Sequence, residues 1–164
     1  MSNYEEEKLS HVSASGTPQM VSVGHKNPSK RVATAQAEVQ LPLEVQVRLK
    51  KGDLSTSKGP VFQTAITAGI MAAKRTSDLI PMCHPVGLDN CEISIKLNES
   101  GNAVLRCSVS VEHKTGVEME ALTGVTVAAL TIYDMCKGLS QKIKIMNVML
   151  LEKKGGKQDY VVEI

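Results

Sequence analysis

The chain has 164 residues, 42% of them hydrophobic, with 19 basic and 17 acidic side chains and a formal net charge of +2. That length is one domain's worth and lets roughly 70% of the unfolded chain's surface be buried. So balanced a charge excludes a general attraction to nucleic acid or to a membrane surface, and any anion site has to be built locally.

The elements follow in chain order. Residues 1–19, which begin "MSNYEEEKLSHVSASGTP", are rich in Ser, Glu and Gly without a hydrophobic period. They predict a flexible lead-in, and they lack the basic flank and apolar core of a signal peptide. The fold is expected to start near Met20 and to run as a single catalytic domain over 20–164. "RVATAQAEVQL" sets Ala33, Ala35, Ala37, Val39 and Leu41 against Val32, Thr34, Gln36, Glu38 and Gln40, a period-2 pattern that reads as a strand. "PLEVQVRLKKGD" also alternates, but its Pro42 suits the first turn of a short helix equally, and both readings stay open.

From Pro60 to about Thr76, "PVFQTAITAGIMAAKRT" carries apolar residues at helical spacing, with Lys74 and Arg75 suiting the carboxyl end of the dipole. "CEISIKLN" and "AVLRCSVSVE" are alternating strands joined by the turn "ESGN". From Val117 to Lys137 an apolar stripe with a 3.6 period predicts a long helix. A last strand is expected from about Ile143 to Leu151, with "KKGGK" as a flexible basic turn. The order predicts an α+β fold with a ferredoxin-like antiparallel sheet and helices packed on one face.

Standard chemistry motifs are scarce. There is no phosphate-binding glycine loop and no GxSxG elbow. Cys83, Cys91, Cys107 and Cys136 lack CxxC spacing, which predicts reduced thiols in a cytoplasmic protein. Adjacent Cys83 and His84 chelate poorly with Cys107 and His113, so no metal site is expected. One Phe, three Tyr and no Trp are too few for a base-stacking RNA surface. No apolar run reaches membrane-spanning length.

"LIPMCHPVGL" does stand out, because two prolines bracket a Cys-His pair and fix where His84 points. A histidine satisfied by backbone carbonyls and a catalytic one fit that turn equally well. Glu118 and Glu120 suit a helix start. Asp134 and Lys137, at i and i+3 of the long helix, share one face and taken alone read as a weak surface ion pair.

Together, "AAKRTSDLIPMCHP" and "KTGVEMEALTGVTVAALTIYDMCKG" resemble the molybdenum-cofactor biosynthesis protein C family, and the likeness extends from about Met20 to Asp159. The resemblance implies an enzyme, a phosphorus-oxygen lyase, that acts on a cyclised dihydroguanosine triphosphate made from GTP. It would release pyrophosphate and form cyclic pyranopterin monophosphate. It also implies a homohexamer, a trimer of dimers, with active sites where subunits meet. Carried over by position, Asp134 and Lys137 become a proton-transfer pair and His84 an active-site histidine. Arg31, Lys74, Cys83, Glu118, Glu120, Lys153 and Lys157 become substrate-binding residues.

The family's active-site lysine, in a "KGD" triplet, has two counterparts here. Lys51 keeps the triplet, whereas Lys58 in "KGP" keeps the spacing to Lys74. Lys58 is favoured, because distance along a helix fixes position in space, and Lys51 is held as a substrate-binding residue. Two further departures are Ser22, where the family has Asp, and a "GGK" one residue short of the usual spacing to its sequel.

Neighbouring cations are expected to lower the Lys137 pKa, and a shared site to take Lys58 and Asp134 from different subunits. Which residue moves which proton stays open. No cofactor is required, although magnesium would suit the substrate phosphates. A second hypothesis, from another class, is a non-catalytic, anion-binding oligomer that carries a phosphorylated pterin.

Overall fold

The computed structural model describes residues 15–50 and 52–163; Lys51 and residues 1–14 of the expected lead-in lie outside the described residues. Residues 15–20 are exposed. The elements are β1 (Ser29–Gln40), α1 (Leu43–Gln46), β2 (Leu49–Lys50), β3 (Asp53–Thr56), β4 (Gly59–Pro60), α2 (Val61–Ala73), α3 (Thr76–Leu79), β5 (Asn90–Leu97), β6 (Ala103–His113), α4 (Glu118–Cys136), β7 (Lys144–Lys154) and β8 (Tyr160–Val161).

β5, β6, β1, β7 and β8 form, in that order, an antiparallel sheet. The alternation read from the sequence is what gives this sheet one apolar face. Ala33, Ala35, Ala37 and Val39 stand opposite Val109, Cys107, Leu105 and Ala103. All eight are buried, and cross-strand neighbours project to the same side. Helices α2 and α4 cover that face, so the architecture is the expected α+β, ferredoxin-like one. The opposite face carries Thr34, Gln36 and Glu38 of β1 with Arg106 and Ser108 of β6.

Small residues decide how closely the layers approach. A Cβ on Gly69 of α2 would stand 2.6 Å from the Gly124 carbonyl oxygen of α4. One on Gly124 would stand 2.8 Å from the Cys107 sulfur beneath it. The two helices therefore touch backbone to backbone, with α4 seated on the alanines of β1.

The segment after Pro42 resolves the open alternative in favour of the helix. Val45 is buried, while Leu43 and Val47 are 71% and 66% exposed. A strand would have placed all three on one face; on a helical turn Leu43 and Val47, at i and i+4, share the face opposite Val45. Beyond it lies a second, three-stranded sheet, β2-β3-β4, across the chain that separates the two candidate lysines.

The basic turn after β7 is held in place rather than loose. Asp159 accepts the Gly155 N–H at 3.0 Å, and Gly155, with φ of 83°, packs against the Lys30 carbonyl so closely that no side chain fits. Among the described residues no helix is long and apolar enough to cross a membrane.

Candidate active site

Helix α4 positions most of the chemistry, at its two ends. Glu118 and Asp134 stand about 24 Å apart on a helix that rises 1.5 Å per residue.

At the carboxyl end, Asp134 is held between two lysines. Its Oδ1 meets Lys137 Nζ at 2.8 Å, as the i,i+3 spacing predicts, and its Oδ2 meets Lys58 Nζ at 2.8 Å. Lys58 also donates to the Asp134 backbone carbonyl at 3.0 Å. Lys58 arrives from the β3–β4 turn, where its own N–H is taken by Thr56 Oγ1 at 3.2 Å. A cavity of about 460 Å³ opens here, lined among others by Arg48, Ser55, Lys58, Asp134 and Lys137. With more cations than carboxylates in the wall, the cavity is suited to an anion.

Two expectations are corrected at this end. Lys58 and Asp134, expected on different sides of a shared site, form an ion pair within one chain. Lys137 was expected to have a lowered pKa, but the hydrogen bond to Asp134 raises it. The carboxylate lies nearer to that amine than any repelling cation does, and attraction at hydrogen-bond distance dominates. The same bonds, from Lys137 first and Lys58 second, hold the Asp134 carboxyl down at about 2.

At the amino end, Glu118 and Glu120 occupy the first turn of α4. With Cys83, His84, Lys153 and Lys157 they line a cavity of about 600 Å³. Glu120 is only 4% exposed, and among the described residues no cation pairs with it. Burial pushes its carboxyl upward, with a further push from Glu118. The Cys83 thiol is also raised, by burial and then by Glu120.

A β-bulge brings Lys153 to this site. Ala33 pairs with Lys153 and Ala35 with Leu150, so β7 has one residue more than β1 in between. That extra residue reverses the alternation, and Lys153 instead of Glu152 turns to the helix side, where it meets Glu118 at 3.5 Å. A neighbouring cavity of about 260 Å³ is lined by Lys26, Arg31, Lys114, Lys153, Lys154 and Lys157. Arg31 is steadied there by donating from Nε to the His113 carbonyl at 3.4 Å.

The structure thus gathers the candidate residues into two groups: Lys58, Asp134 and Lys137 in one, and Arg31, Cys83, His84, Glu118, Glu120, Lys153 and Lys157 in the other. Lys74 belongs to neither; it caps the carboxyl end of α2 and lines none of these cavities. Sequence reasoning missed Arg48, Lys26 and Lys114. Lys114 opens the quoted run "KTGVEMEAL" and could have been read from it, whereas Arg48 and Lys26 sit in stretches with no chemical pattern.

A family model described as the MoaC family matches residues 20–156. A cyclic pyranopterin monophosphate synthase of Xanthomonas campestris pv. campestris (strain B100) is 46% identical over 152 residues, 93% of this chain and 92% of that protein. One from Xanthomonas axonopodis pv. citri (strain 306) is 47% identical over 159 residues, 96% and 95% of the two chains. One from Desulfitobacterium hafniense (strain DSM 10664 / DCB-2) is 43% identical over 155 residues, 94% of each.

Proposed function

The chain belongs to the MoaC family, and we propose that it carries out the reaction for which its relatives are named, as an enzyme of molybdenum cofactor biosynthesis. The substrate is the cyclised dihydroguanosine triphosphate, and the products are cyclic pyranopterin monophosphate and pyrophosphate. In its last step a ribose-derived hydroxyl attacks the α-phosphorus. The bond from that phosphorus to the bridging oxygen breaks, pyrophosphate leaves with the electron pair, and the hydroxyl proton is taken up by a base. This makes the enzyme a phosphorus-oxygen lyase.

The observation that carries the reading is the Lys58–Asp134–Lys137 arrangement, with one carboxylate bonded at 2.8 Å to two ammonium groups beside an open, cation-lined cavity. A carboxyl held at about 2 is a weak base at neutral pH, so Asp134 orients both lysines and keeps Lys137 charged. Lys137, kept protonated by that partner, carries the proton that goes to a leaving nitrogen or oxygen. Glu120, raised by burial, is the better proton acceptor. A carrier of a phosphorylated pterin would need the cations alone, and the second hypothesis leaves the Asp134 clamp without a purpose.

The separation of the two groups supports a site shared between subunits. Groups that act on one small substrate must stand within hydrogen-bond reach of it. Clusters about 24 Å apart on one helix therefore meet only when another subunit's α4 is turned end to end. This requirement supports a dimer contact, and the resemblance to the family extends it to a homohexamer, a trimer of dimers. Arg31, Lys153 and Lys157 would hold phosphates, with Lys26 and Lys114 beside them. Magnesium would arrive on the triphosphate oxygens as part of the substrate. The four free thiols favour the cytoplasm as the compartment.

The direct test is pyrophosphate release from the cyclised triphosphate by the purified protein. Turnover with formation of the cyclic monophosphate is expected. Tight binding without pyrophosphate would return the protein to the carrier reading.

A further inference from the structure

The amino end of α2 has no cap of its own. Pro60 occupies the capping position, and a proline side chain offers no acceptor, so the first N–H groups of the helix would be left without partners. The missing acceptor comes from another hairpin. Asp53 Oδ1 accepts the Phe62 N–H at 2.7 Å, and Asp53 Oδ2 accepts the Gln63 N–H at 3.2 Å.

These two bonds close a ring of chain around Lys58. Asp53 heads β3, and β3 pairs with the two-residue β4 through Ser55 with Pro60 and Thr56 with Gly59. Lys58 lies in the turn between them, and α2 begins directly after β4. Leu54 and Phe62, next to the carboxylate and to the N–H it receives, are 1% and 4% exposed and anchor the ring in the core. Without the carboxylate, the turn that carries Lys58 is tied back only by a strand of two residues, which is too short to fix it.

We propose that Asp53 is a positioning residue for Lys58, supplying from the adjacent hairpin the cap that α2 lacks and thereby fixing where the Lys58 amine meets Asp134. The inference rests on the reading of Lys58 as an active-site lysine. It also gives the "KGD" triplet a physical meaning in this chain: its aspartate is the functional member, acting on the lysine of the later "KGP".

The test moves the carboxylate. Asp53→Ala should speed hydrogen exchange at Phe62 and Gln63 roughly five- to thirtyfold, the range that a lost cap spans. It should lower kcat by about ten- to a hundredfold, the scale of a misplaced catalytic group. KM should stay within about twofold, because the phosphate-binding cations lie at the other end of α4. Asp53→Asn, which keeps an acceptor oxygen, should retain most of kcat. Asp53→Ala/Pro60→Asp, which places a carboxylate at the cap itself without tying β3 back to α2, should restore the amide protection but not kcat. An Asp53→Ala enzyme with normal kcat overturns the proposal. So does a double variant that regains turnover together with protection, a reading that stands even where Asp53→Ala fails to fold.

One readout does not depend on turnover: labelling of Lys58 by acetic anhydride, followed by mass spectrometry. In Asp53→Ala the rate should rise to that of Asp134→Asn. Unchanged labelling alongside faster exchange overturns the positioning role, whereas an inactive wild type with the expected labelling overturns only the proposed reaction.

Discussion

The two ends of α4 treat ionisable groups in opposite ways. At the carboxyl end, side chains about half exposed pair with one another, and each holds its partner in the charged form: Asp134 is pulled down to about 2 and Lys137 is pushed up. At the amino end, burial works against charge and raises both Glu120 and Cys83. The helix dipole alone would favour an ionised Glu120, by about 0.3–1 kcal/mol. Its pKa is nevertheless raised, so desolvation is the larger effect. One helix thus holds its groups in the charged form at one end and shifts them toward the protonated form at the other. A reaction that needs both must bring two such helices together.

The contrast is broken most severely at the charged end. Lys137→Arg keeps the positive charge and the pairing with Asp134 but raises the pKa beyond reach of proton exchange. It should lose roughly a hundredfold or more in pyrophosphate release. A near-normal rate would reduce Lys137 to neutralising phosphate. In the same assay Lys58→Ala should cost far more than Lys51→Ala, and the reverse order would move the active-site lysine to the triplet.

Mixing sharpens the comparison next. Asp134→Ala and His84→Ala lie at opposite ends of α4, so mixed oligomers regain one intact site per pair of sites, and about a quarter of wild-type activity should return on random association. Asp134→Ala with Lys58→Ala damages one end twice and should return none. Equal recovery from both mixtures would mean that the ends do not face each other across subunits.

A lesion in α2, where it packs on Gly124 of α4, should not distinguish the ends at all. Gly69→Ala gains about 1 kcal/mol of helix propensity but forces a methyl group against the Gly124 carbonyl, an overpacking cost of roughly 1–3 kcal/mol. A net fall in Tm of a few degrees is expected. An unchanged Tm would show that α2 can shift off α4 freely.

The smallest effect concerns pH. Glu120 has its folded pKa raised above 4.5, so the folded protein binds its proton more tightly than the unfolded chain does. Stability therefore falls as pH rises from 4.5 through the raised value and then levels off. Glu120→Gln should flatten that decline in a series of Tm measurements. Asp134, depressed from 3.8 to about 2, has the opposite sign: its contribution is present above 3.8 and disappears as pH falls through 2. A decline of unchanged slope in Glu120→Gln would place the titrating group elsewhere.

Much of this molecule was already determined by local pattern. The alternation of Ala33 to Val39, the 3.6 period of α4 and the turn residues at Asn98–Asn102 fix their elements because each depends on neighbours within a few residues. The i,i+3 pairing of Asp134 with Lys137 is of the same kind. The rest depends on distant chain. No pattern in "KKGD" says that Asp53 caps a helix beginning at Val61, because the cap depends on how a hairpin folds back. None in "MLLEKK" says that one extra residue in β7 turns Lys153 toward Glu118, because a bulge exists only relative to the partner strand. The pKa directions were also beyond reach. They depend on which charges stand within a few ångströms and on what is buried, quantities that exist only once the helices lie on the sheet.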